Sequence, residues 1–260
     1  MSLAGRVALV TGGGRGIGRA ISIGLAQDGA AVAVNYTRDE EAAQATVDAI
    51  TALGGRAKAY RASVESFDDD RAMVEAVLAD FGKIDILFNN AGIASRGQSV
   101  RDTDPAEMER VVRTHAFGSF YMSQLVLDSM RAQERGDIVM ISSVAASSFG
   151  PNGSPYNMGK GALEALAYTL AKEERRNGIH VNIVAPGLTE TQMGIRLARA
   201  TRGTQSRDDL RELDSKMPFG HVCQPEEIAD AVRYLVSDRS TYITGQRIQV
   251  DGGGPMMGPY

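Results

Sequence analysis

A serine, a tyrosine and a lysine near the middle of the chain have the types and spacing of a proton-transfer site. Tyr156 and Lys160 are four positions apart, and Ser143 lies thirteen positions before the tyrosine. Residues four apart share one face of a helix, so the Lys160 ammonium can lie beside the Tyr156 phenol. A free tyrosine, with a pKa of roughly 10, is a poor base at neutral pH, and a fixed positive charge favours its phenolate. We therefore expect Lys160 to lower the pKa of Tyr156, which could then exchange a proton with a carbonyl or an alcohol.

Ser143 completes this candidate site from the end of a predicted strand. It follows the apolar run 138–141, and its hydroxyl could hydrogen-bond the same substrate oxygen as the tyrosine. Any helix can contain Tyr-x-x-x-Lys by chance, so the alternative is a surface tyrosine beside a solvated lysine. A redox site of this kind also needs a hydride carrier, and the rest of the chain decides whether one can bind.

A glycine-rich turn near the start of the chain predicts a binding site for a nucleotide pyrophosphate. Residues 6–10 are short, β-branched and apolar, as in a buried parallel strand, and an amphipathic helical pattern follows to about residue 28. Between them, Gly12, Gly16 and Gly18 have the spacing G-x-x-x-G-x-G. Glycines permit close backbone approach, and a helix N-terminus presents free N–H groups to phosphate. A glycine turn without function is the alternative, but the strand–turn–helix context favours nucleotide binding.

The end of the second predicted strand indicates which dinucleotide the site prefers. In NAD-preferring sites of this architecture, an Asp or Glu here holds the ribose 2′-OH. This chain instead has Asn35, Tyr36, Thr37 and Arg38. The strand end therefore lacks the carboxylate that would repel a 2′-phosphate. Arg15 and Arg38 are available to bind that phosphate. We expect NADP(H) to be preferred, with NAD(H) a possible cofactor; the alternative is that both arginines are solvated surface charges.

Strand and helix patterns alternate along the whole chain. Helical patterns separate the apolar strand patterns, and one long helix is predicted from Pro105, capped by Asp104, to about residue 133. The alternation predicts an α/β fold: a single domain over 1–260, with a doubly wound, Rossmann-like parallel sheet of about seven strands and helices on both faces. Residues 188–217 are polar and fit no pattern, so we expect a mobile substrate lid there. The predicted strands are 6–10, 31–35, 56–61, 85–88, 137–141, 179–185 and 247–250.

Composition excludes several classes of protein. The chain of 260 residues has a formal net charge of -4, which gives no electrostatic reason to expect nucleic acid as a partner. Its single cysteine, Cys223, excludes an intrachain disulfide framework and fits a reducing compartment. Residues 1–10 read as a strand rather than a signal peptide, and no apolar run reaches membrane-spanning length. We expect a cytoplasmic protein that binds neither membrane nor metal.

Taken in order, these motifs resemble those of the short-chain dehydrogenase/reductase family, including its 3-oxoacyl-acyl-carrier-protein reductases. The resemblance covers nearly the whole chain at family spacing. It implies a nicotinamide-dependent oxidoreductase acting on a carbonyl or secondary alcohol, such as a 3-oxoacyl thioester. The alternative is a non-catalytic cofactor-sensing regulator on the same fold, which would not need the proton-transfer residues. The matching segments are TGGGRGIG (11–18), NNAG (89–92), Ser143 with YNMGK (156–160), PGLTET (186–191) and TGQRIQVDGG (244–253).

The same resemblance implies a role for each motif. Tyr156 would be the general acid in reduction and the base in oxidation, Lys160 would also hold the nicotinamide ribose, and Ser143 would polarise the substrate carbonyl. Residues 12–18 would cradle the pyrophosphate, 90–92 the adenosine side and 186–191 the nicotinamide carboxamide. The full set of expected cofactor contacts is Gly12, Arg15, Gly16, Ile17, Gly18, Asn35, Tyr36, Arg38, Ser63, Val64, Asn90, Ala91, Gly92, Tyr156, Lys160, Pro186, Gly187, Thr189 and Thr191.

Two positions depart from the family pattern. Many relatives carry an Asp-Val pair against the adenine ring, where this chain has Ser63-Val64, whose hydroxyl can still hydrogen-bond. The family's catalytic asparagine aligns with His115, an imidazole that can donate at one nitrogen and accept at the other. We expect His115 to serve in a proton relay, and to be neutral because the Lys160 charge lowers its pKa. The alternative is a core histidine satisfied by backbone groups.

Two helical segments carry more apolar residues than one buried face requires. Residues 105–130 contain several large apolar side chains, and 161–171 is apolar on nearly every side apart from Glu164. In the family, these two helices form a four-helix interface, so the resemblance implies a homotetramer or a homodimer. The alternative is a thick core covered by neighbouring loops. Around the expected substrate pocket, Ala94, Ala145 and Ala146 are small and apolar.

Overall fold

Seven short strands pair in parallel to form one central sheet, in the spatial order β3-β2-β1-β4-β5-β6-β7. This computed structural model describes residues 2–202 and 210–254. The predicted doubly wound parallel sheet is confirmed. Its strands are β1 (Val7–Val10), β2 (Ala31–Tyr36), β3 (Ala57–Arg61), β4 (Ile86–Asn89), β5 (Gly136–Ile141), β6 (Ile179–Pro186) and β7 (Arg247–Val250).

Helices cover both faces of the sheet, as the two-sided apolar character of the strands requires. They are α1 (Gly16–Gln27), α2 (Glu40–Ala52), α3 (Phe67–Phe81), α4 (Pro105–Val112), α5 (Gly118–Arg131), α6 (Ala145–Ser148), α7 (Ser154–Glu174), α8 (Gln192–Arg202) and α9 (Pro225–Leu235). One core contains residues of α1, α2 and α9, and the other contains residues of α3, α5 and α7. Alternate residues of β1 enter opposite cores, since Val10 belongs to the first and Leu9 to the second.

The strand order reverses between β1 and β4, which both lie at the centre of the sheet. In open α/β sheets, ligands bind outside the carboxyl ends of the strands at such a switch point. The glycine-rich turn follows β1, and the segment 89–92 follows β4, so both lie at this crevice. Within the described ranges, no helix has the length and hydropathy needed to cross a membrane.

The long helix predicted over 105–133 is interrupted by a π-helical turn at Arg113–Phe117, which separates α4 from α5. The N–H of Gly118 donates to the carbonyl of Arg113, five residues earlier, and the Ser119 hydroxyl donates to the His115 carbonyl at 2.7 Å. Apolar periodicity cannot reveal one extra residue in a turn, so the sequence predicted an unbroken helix. Single π-helical turns occur often at functional sites, and this one contains His115.

Residues 188–217 have more structure than their polar sequence predicted. They contain α8 and a 3₁₀ segment at Leu210–Lys216. A small apolar cluster of Ala198, Leu210, Leu213 and Val222 packs beneath them. Residues 203–209 lie outside the described ranges, and the mobility of the lid stays a prediction.

Candidate active site

Ser143, Tyr156 and Lys160 come together where β5 ends and α7 begins. Ser143 lies two residues beyond β5, and Tyr156 is in the first turn of α7. Lys160 follows one helical turn later, on the same face of α7. Tyr156 and Lys160 are only 7% and 3% exposed, so neither is a solvated surface group.

The Ser143 hydroxyl lies between the backbone and the tyrosine. Its oxygen accepts a hydrogen bond from the Ala145 N–H at 3.2 Å. Its side chain also interacts with the Tyr156 phenol, and this interaction lowers the pKa of Tyr156. The geometry therefore places two hydroxyl groups beside each other at the crevice, where both can reach one oxygen atom of a ligand.

Burial dominates the electrostatics of the tyrosine and the lysine. It raises the pKa of Tyr156 above its ordinary value, against the smaller effect of the Ser143 side chain. It also lowers the pKa of Lys160 to about 7, and the Glu164 carboxylate opposes that shift. The Lys160 Nζ donates to the Ile141 carbonyl at 2.7 Å and lies 5.8 Å from the Tyr156 ring centroid. The expected lowering of the Tyr156 pKa by Lys160 is therefore wrong for this structure, because burial disfavours both charged forms.

His115 lies in the π-helical turn with its ring fully buried against Tyr156. The two rings meet edge to face, with centroids 5.1 Å apart. The His115 Nε2 is 2.9 Å from the Ile93 carbonyl and 3.4 Å from the Ile93 N–H, and the shorter contact assigns the proton to Nε2. The Nδ1 atom is then a bare acceptor, and it has no hydrogen-bond partner among the described residues.

The surroundings of His115 keep its ring neutral. Burial and then the Lys160 charge lower its pKa well below the ordinary value, which is the direction expected from the sequence. Both earlier alternatives describe part of what is observed: the backbone satisfies one nitrogen, and the other is free to accept a proton or a water hydrogen bond. Gly92 makes room for the ring, since a Cβ there would lie 2.6 Å from His115 Cε1.

The glycine-rich turn forms a cradle that side chains would fill. Gly12 and Gly16 have φ values of 62° and 52°, in the left-handed region that favours glycine. A methyl group on Gly18 would overlap the Gly12 carbonyl oxygen, and one on Gly16 would lie 3.2 Å from Thr191 Cγ2. The α1 N-terminus starts at Gly16 and receives no hydrogen bond from an N-cap side chain. These features fit a dinucleotide pyrophosphate bound by backbone N–H groups.

Asn35 supports this turn from inside the protein. Its side chain is buried; Oδ1 accepts from the Gly12 N–H at 3.1 Å, and Nδ2 donates to the Ala62 carbonyl at 3.1 Å. The Gly13 N–H donates to the Asn35 carbonyl at 2.9 Å. The polar atoms of Asn35 thus hold the glycine-rich turn to β2 and to the residue after β3. The expected contact of Asn35 with a cofactor stays a prediction.

The two arginines predicted to contact a 2′-phosphate lie on the surface beside this turn. Arg38 is exposed, and its side chain makes no hydrogen bond or ion pair with any residue in the described ranges. Arg15 is also exposed, and its Nη1 lies 3.9 Å from Asp39 Oδ2. Burial and the Glu40 carboxylate raise the pKa of Tyr36. The Asp39 carboxylate thus lies near Arg15, and the Glu40 carboxylate lies near Tyr36.

The segment after β4 is held against the glycine-rich turn by Thr11, a residue that sequence reasoning missed. The Thr11 hydroxyl accepts from the N–H groups of Asn90 and Ala91, each at 3.0 Å. Asn90 Nδ2 donates to the Thr11 carbonyl at 2.8 Å. The position of Thr11 at the start of TGGGRGIG was the available signal. Like Asn35, Asn90 uses its side chain to position backbone.

Ser63 and Val64 lie beyond β3, on the side of Asn35 away from the catalytic residues. Ser63 lines an open cavity of about 490 Å³ between β3 and α3. Val64 is buried, and its carbonyl oxygen lies 2.6 Å from where a Cβ on Gly118 would be. Val64 therefore packs at the start of α5. The expected contacts of Ser63 and Val64 with the adenosine end of a dinucleotide stay predictions.

The segment 186–191 joins the two ends of the crevice. Thr191 faces Gly16 of the glycine-rich turn, and the Val144 N–H beside Ser143 donates to the Pro186 carbonyl at 3.0 Å. Gly187 is close to Asp251, where a Cβ would lie 2.8 Å from the Asp251 Cβ. Thr189 is buried, and Thr191 accepts from the Gly194 N–H at 2.9 Å. A dinucleotide lying along this segment would have its nicotinamide end beside Ser143.

Comparison with known proteins agrees with this geometry. Residues 12–254 match a family described as enoyl-(acyl carrier protein) reductase. A 3-oxoacyl-[acyl-carrier-protein] reductase of Staphylococcus aureus is 37% identical over 247 residues, covering 95% of this chain and 96% of that protein. The structure of an NAD⁺-bound xylitol dehydrogenase matches with a TM-score of 0.90 and 31% identity, over 97% of this chain and 100% of the other. A short-chain dehydrogenase from Burkholderia cenocepacia in complex with NADP matches with a TM-score of 0.85 and 34% identity, over 97% and 98%.

Proposed function

Because the chain belongs to the short-chain dehydrogenase/reductase family and is an NAD(P)-dependent oxidoreductase, we propose that it interconverts a carbonyl and a secondary alcohol at Ser143, Tyr156 and Lys160. The observation that supports this site best is the buried Tyr156 phenol beside the Ser143 side chain, which lowers the pKa of that phenol. A regulator that only sensed the cofactor would not need this pair. The comparisons give that alternative no support.

A nicotinamide cofactor supplies the hydride when bound, and the protein supplies the proton and its control. In reduction, the Tyr156 phenol donates its proton to the carbonyl oxygen while the Ser143 hydroxyl donates a hydrogen bond to the same atom. A raised pKa keeps Tyr156 in the acid form that reduction requires. In the oxidation of an alcohol, the same groups act in reverse, and the tyrosine must first lose its proton.

Lys160 and His115 are placed to control that proton. The Lys160 ammonium is held by the Ile141 carbonyl, and its pKa of about 7 lets it gain and lose a proton near neutral pH. The bare Nδ1 of His115 can accept a hydrogen bond from a water molecule or a proton in transit. The proposed relay therefore runs from Tyr156 through Lys160, with His115 as a further acceptor.

The proposed cofactor preference is for NADP(H) over NAD(H). Its support is the exposed Arg15 in the glycine-rich turn and the exposed Arg38 just beyond β2, where Asn35 brings no negative charge. Charge-assisted hydrogen bonds to phosphate contribute roughly 1.5–3 kcal/mol each, enough for tenfold discrimination or more. Asp39 opposes this attraction, but its side chain also caps α2 by accepting from the Ala42 N–H at 3.1 Å.

The proposed substrate class is an apolar ketone, with 3-oxoacyl thioesters first among the candidates. The named activity of the Staphylococcus aureus relative supports this choice. The small residues Ala145 and Ala146 follow Ser143, and the exposed Phe149 comes directly after α6 with a φ of 48°. A left-handed phenylalanine is strained, and such strain is common near ligand sites. An apolar rim beside Ser143 suits an acyl chain.

We also propose that the protein forms a homotetramer or a homodimer in the cytoplasm. Large apolar side chains lie exposed on the helices that carry His115 and Lys160: Phe117, Phe120, Met158 and Tyr168. Association of two copies would bury such a surface. Light scattering coupled to gel filtration measures the mass, and Phe120→Glu should shift it toward the monomer.

The single thiol of Cys223 supports a reducing compartment, as the proposed cytoplasmic location requires.

A substrate panel tests the proposed function. Purified protein is given 3-oxoacyl thioesters, simple ketones and secondary alcohols, each with NADPH or NADH (or their oxidised forms), and the cofactor absorbance is followed. We expect turnover of at least one 3-oxoacyl thioester, with kcat/KM at least tenfold higher for NADPH than for NADH. Equal values for the two cofactors contradict the preference. A cofactor that binds without turnover of any substrate contradicts the enzyme assignment.

A further inference from the structure

A partly buried ion pair connects the lysine helix α7 to the last strand of the sheet. Glu164 is on α7, four residues after Lys160, and Arg247 opens β7. The Arg247 Nε donates to Glu164 Oε1 at 2.9 Å, and their side chains are only 17% and 12% exposed. The Ser142 hydroxyl donates to the same carboxylate oxygen at 2.6 Å. Such a desolvated, hydrogen-bonded pair is geometrically fixed in a way that a surface ion pair is not.

The Nη2 group of Arg247 holds the Ser143 turn, while its Nη1 donates to Gln249 Oε1 at 2.7 Å. Its Nη2 donates to the Ser143 carbonyl at 3.2 Å and to the Ser147 hydroxyl at 3.3 Å. The turn is therefore held twice, through the Ser142 hydroxyl by Glu164 and through the Ser143 carbonyl by Arg247. The Ser143 hydroxyl is left to Ala145 and Tyr156, so the ion pair does not compete with the proposed catalytic contact.

The ion pair also contributes to the charge around Lys160. Three ionisable residues lie around Lys160: His115 on the π-helical turn, and Tyr156 and Glu164 on α7. Among them only the Glu164 carboxylate is negative when Tyr156 is protonated, and it opposes the effect of burial. Arg247 in turn neutralises part of the Glu164 charge, so the two residues act on Lys160 in opposite directions.

We propose that Glu164 and Arg247 are positioning residues of the active site, which fix the Ser143 turn against α7 and balance the charge at Lys160. The proposal rests on the proposed function. Neither residue touches the crevice groups that would contact substrate: they act through Ser142, the Ser143 carbonyl and Lys160. Loss of Glu164 or of Arg247 therefore disturbs the same Ser143 turn. However, losing Glu164 removes a negative charge near Lys160, whereas losing Arg247 removes a positive one.

The test uses Glu164→Gln and Arg247→Met in the full chain. Both should lower kcat by about ten- to a hundredfold, because the Ser143 turn is no longer fixed, while KM for the cofactor changes little. Activity should fall on the alkaline side as Lys160 loses its proton. Glu164→Gln should move that fall to lower pH, and Arg247→Met should move it to higher pH. Glu75→Gln and Arg239→Met, which change exposed side chains elsewhere, are the matched controls.

Two further measurements separate this inference from the proposed function. The Lys160 ionisation is followed by NMR on protein with labelled lysine side chains, which requires no turnover. Opposite shifts of its midpoint in Glu164→Gln and Arg247→Met support the charge balance, and unchanged midpoints overturn it. If wild type reduces no substrate, the proposed function fails while the titration still reports on the ion pair. If wild type is active and both variants equal it, the positioning role is overturned.

Folding is checked by circular dichroism and melting. Where a variant does not fold, Glu164→Asp and Arg247→Lys take its place, since they retain the charges but shift the hydrogen-bonding atoms. These conservative variants should lose kcat yet keep the alkaline midpoint within the wild-type range. A midpoint that moves as far in them as in the neutral variants contradicts the charge argument.

Discussion

The two ends of the crevice are built on different physical principles. At the cofactor end, the polar groups of Thr11, Asn35 and Asn90 are paired with backbone atoms at ordinary hydrogen-bond distances. At the catalytic end, burial shifts the pKa of Tyr156 and of Lys160, and His115 Nδ1 has no partner among the described residues. At the cofactor end, these polar groups already have their hydrogen-bond partners. At the catalytic end, polar groups are left that can exchange protons or accept hydrogen bonds.

This difference predicts how each end tolerates substitution. The cofactor end depends on backbone geometry, so it should be sensitive to added volume and insensitive to pH. The catalytic end depends on buried ionisation, so it should be sensitive to the loss of a single proton or lone pair even where the shape is kept. Variants that add volume at the cofactor end without changing its charge, and variants that change ionisable groups at the catalytic end without changing its shape, separate the two principles.

The largest effect is expected from Tyr156→Phe. The ring would still pack against His115, but the proton would be missing, so turnover should fall by about 10²–10⁴. Cofactor affinity, measured by the fluorescence of bound NADPH, should change little. Tyr168→Phe, on the exposed side of the same helix, is the control. Near-wild-type kcat in Tyr156→Phe would contradict the proposed mechanism.

Gly18→Ala tests the cofactor end by volume alone. The added methyl would overlap the Gly12 carbonyl and lie 2.5 Å from Asn90 Nδ2, so the turn must shift. Overpacking typically costs about 1–3 kcal/mol, which corresponds here to cofactor binding weaker by roughly five- to 150-fold at every pH. Gly161→Ala is the control, because a Cβ there meets no atom within 4 Å. If Gly18→Ala binds cofactor as wild type does, the cradle is not sterically fixed.

His115 tests the catalytic end by chemistry at nearly constant packing. An asparagine can still donate and accept, so His115→Asn should keep most activity, whereas His115→Leu should lose at least about tenfold without unfolding. The pKa of His115 is lowered well below its ordinary value, so its loss should not remove a titration from the neutral range. Stopped-flow turnover and melting curves decide it. A folded, cofactor-binding Leu variant with wild-type turnover makes His115 a packing residue.

The sequence predicted the sheet well, and it predicted that Tyr156 and Lys160 would be neighbours, because both features follow from local strand and helix patterns. It could not predict the π-helical turn around His115, since one inserted residue leaves the apolar pattern almost unchanged. It also could not show which way the Asn35 side chain faces. The direction of this side chain depends on its hydrogen bond to the Ala62 carbonyl, which lies just beyond β3 and is distant from Asn35 in sequence.

Electrostatics was the other property that the sequence did not determine. The spacing of Tyr156 and Lys160 indicated that they would be neighbours, but the sign of the pKa shift depends on burial by residues distant in sequence. The role of Arg247 was missed for the same reason, since it meets Glu164 across 83 positions of sequence. Charged residues in an apolar pattern, such as Glu164, were the available signal.

The smallest effect concerns Asp70, which lies outside both ends and shares one property with the catalytic end. It is fully buried on α3, among the core positions Met73 and Val74, and neither carboxylate oxygen has a hydrogen-bond partner among the described residues. Burial, and then the Asp69 charge, raise the pKa of Asp70 from 3.8 to about 8. Folding therefore favours the protonated form, and the carboxyl group is tolerated only as long as it is neutral.

The sign of the pH effect follows from linkage. With the folded pKa above the unfolded value, the contribution of Asp70 to stability is fully present below pH 3.8 and is lost as the pH rises toward about 8. Asp70→Val removes the buried acid, so the melting temperature should rise at pH 8, by roughly 2–4 °C per kcal/mol gained, and rise less at pH 5. Asp238→Val, at an exposed position, is the control. Because Asp70 has no place in the proposed chemistry, kcat should be unchanged. Loss of turnover together with a gain of stability would instead make Asp70 a buried acid that function requires, and would extend the catalytic end of the comparison to α3.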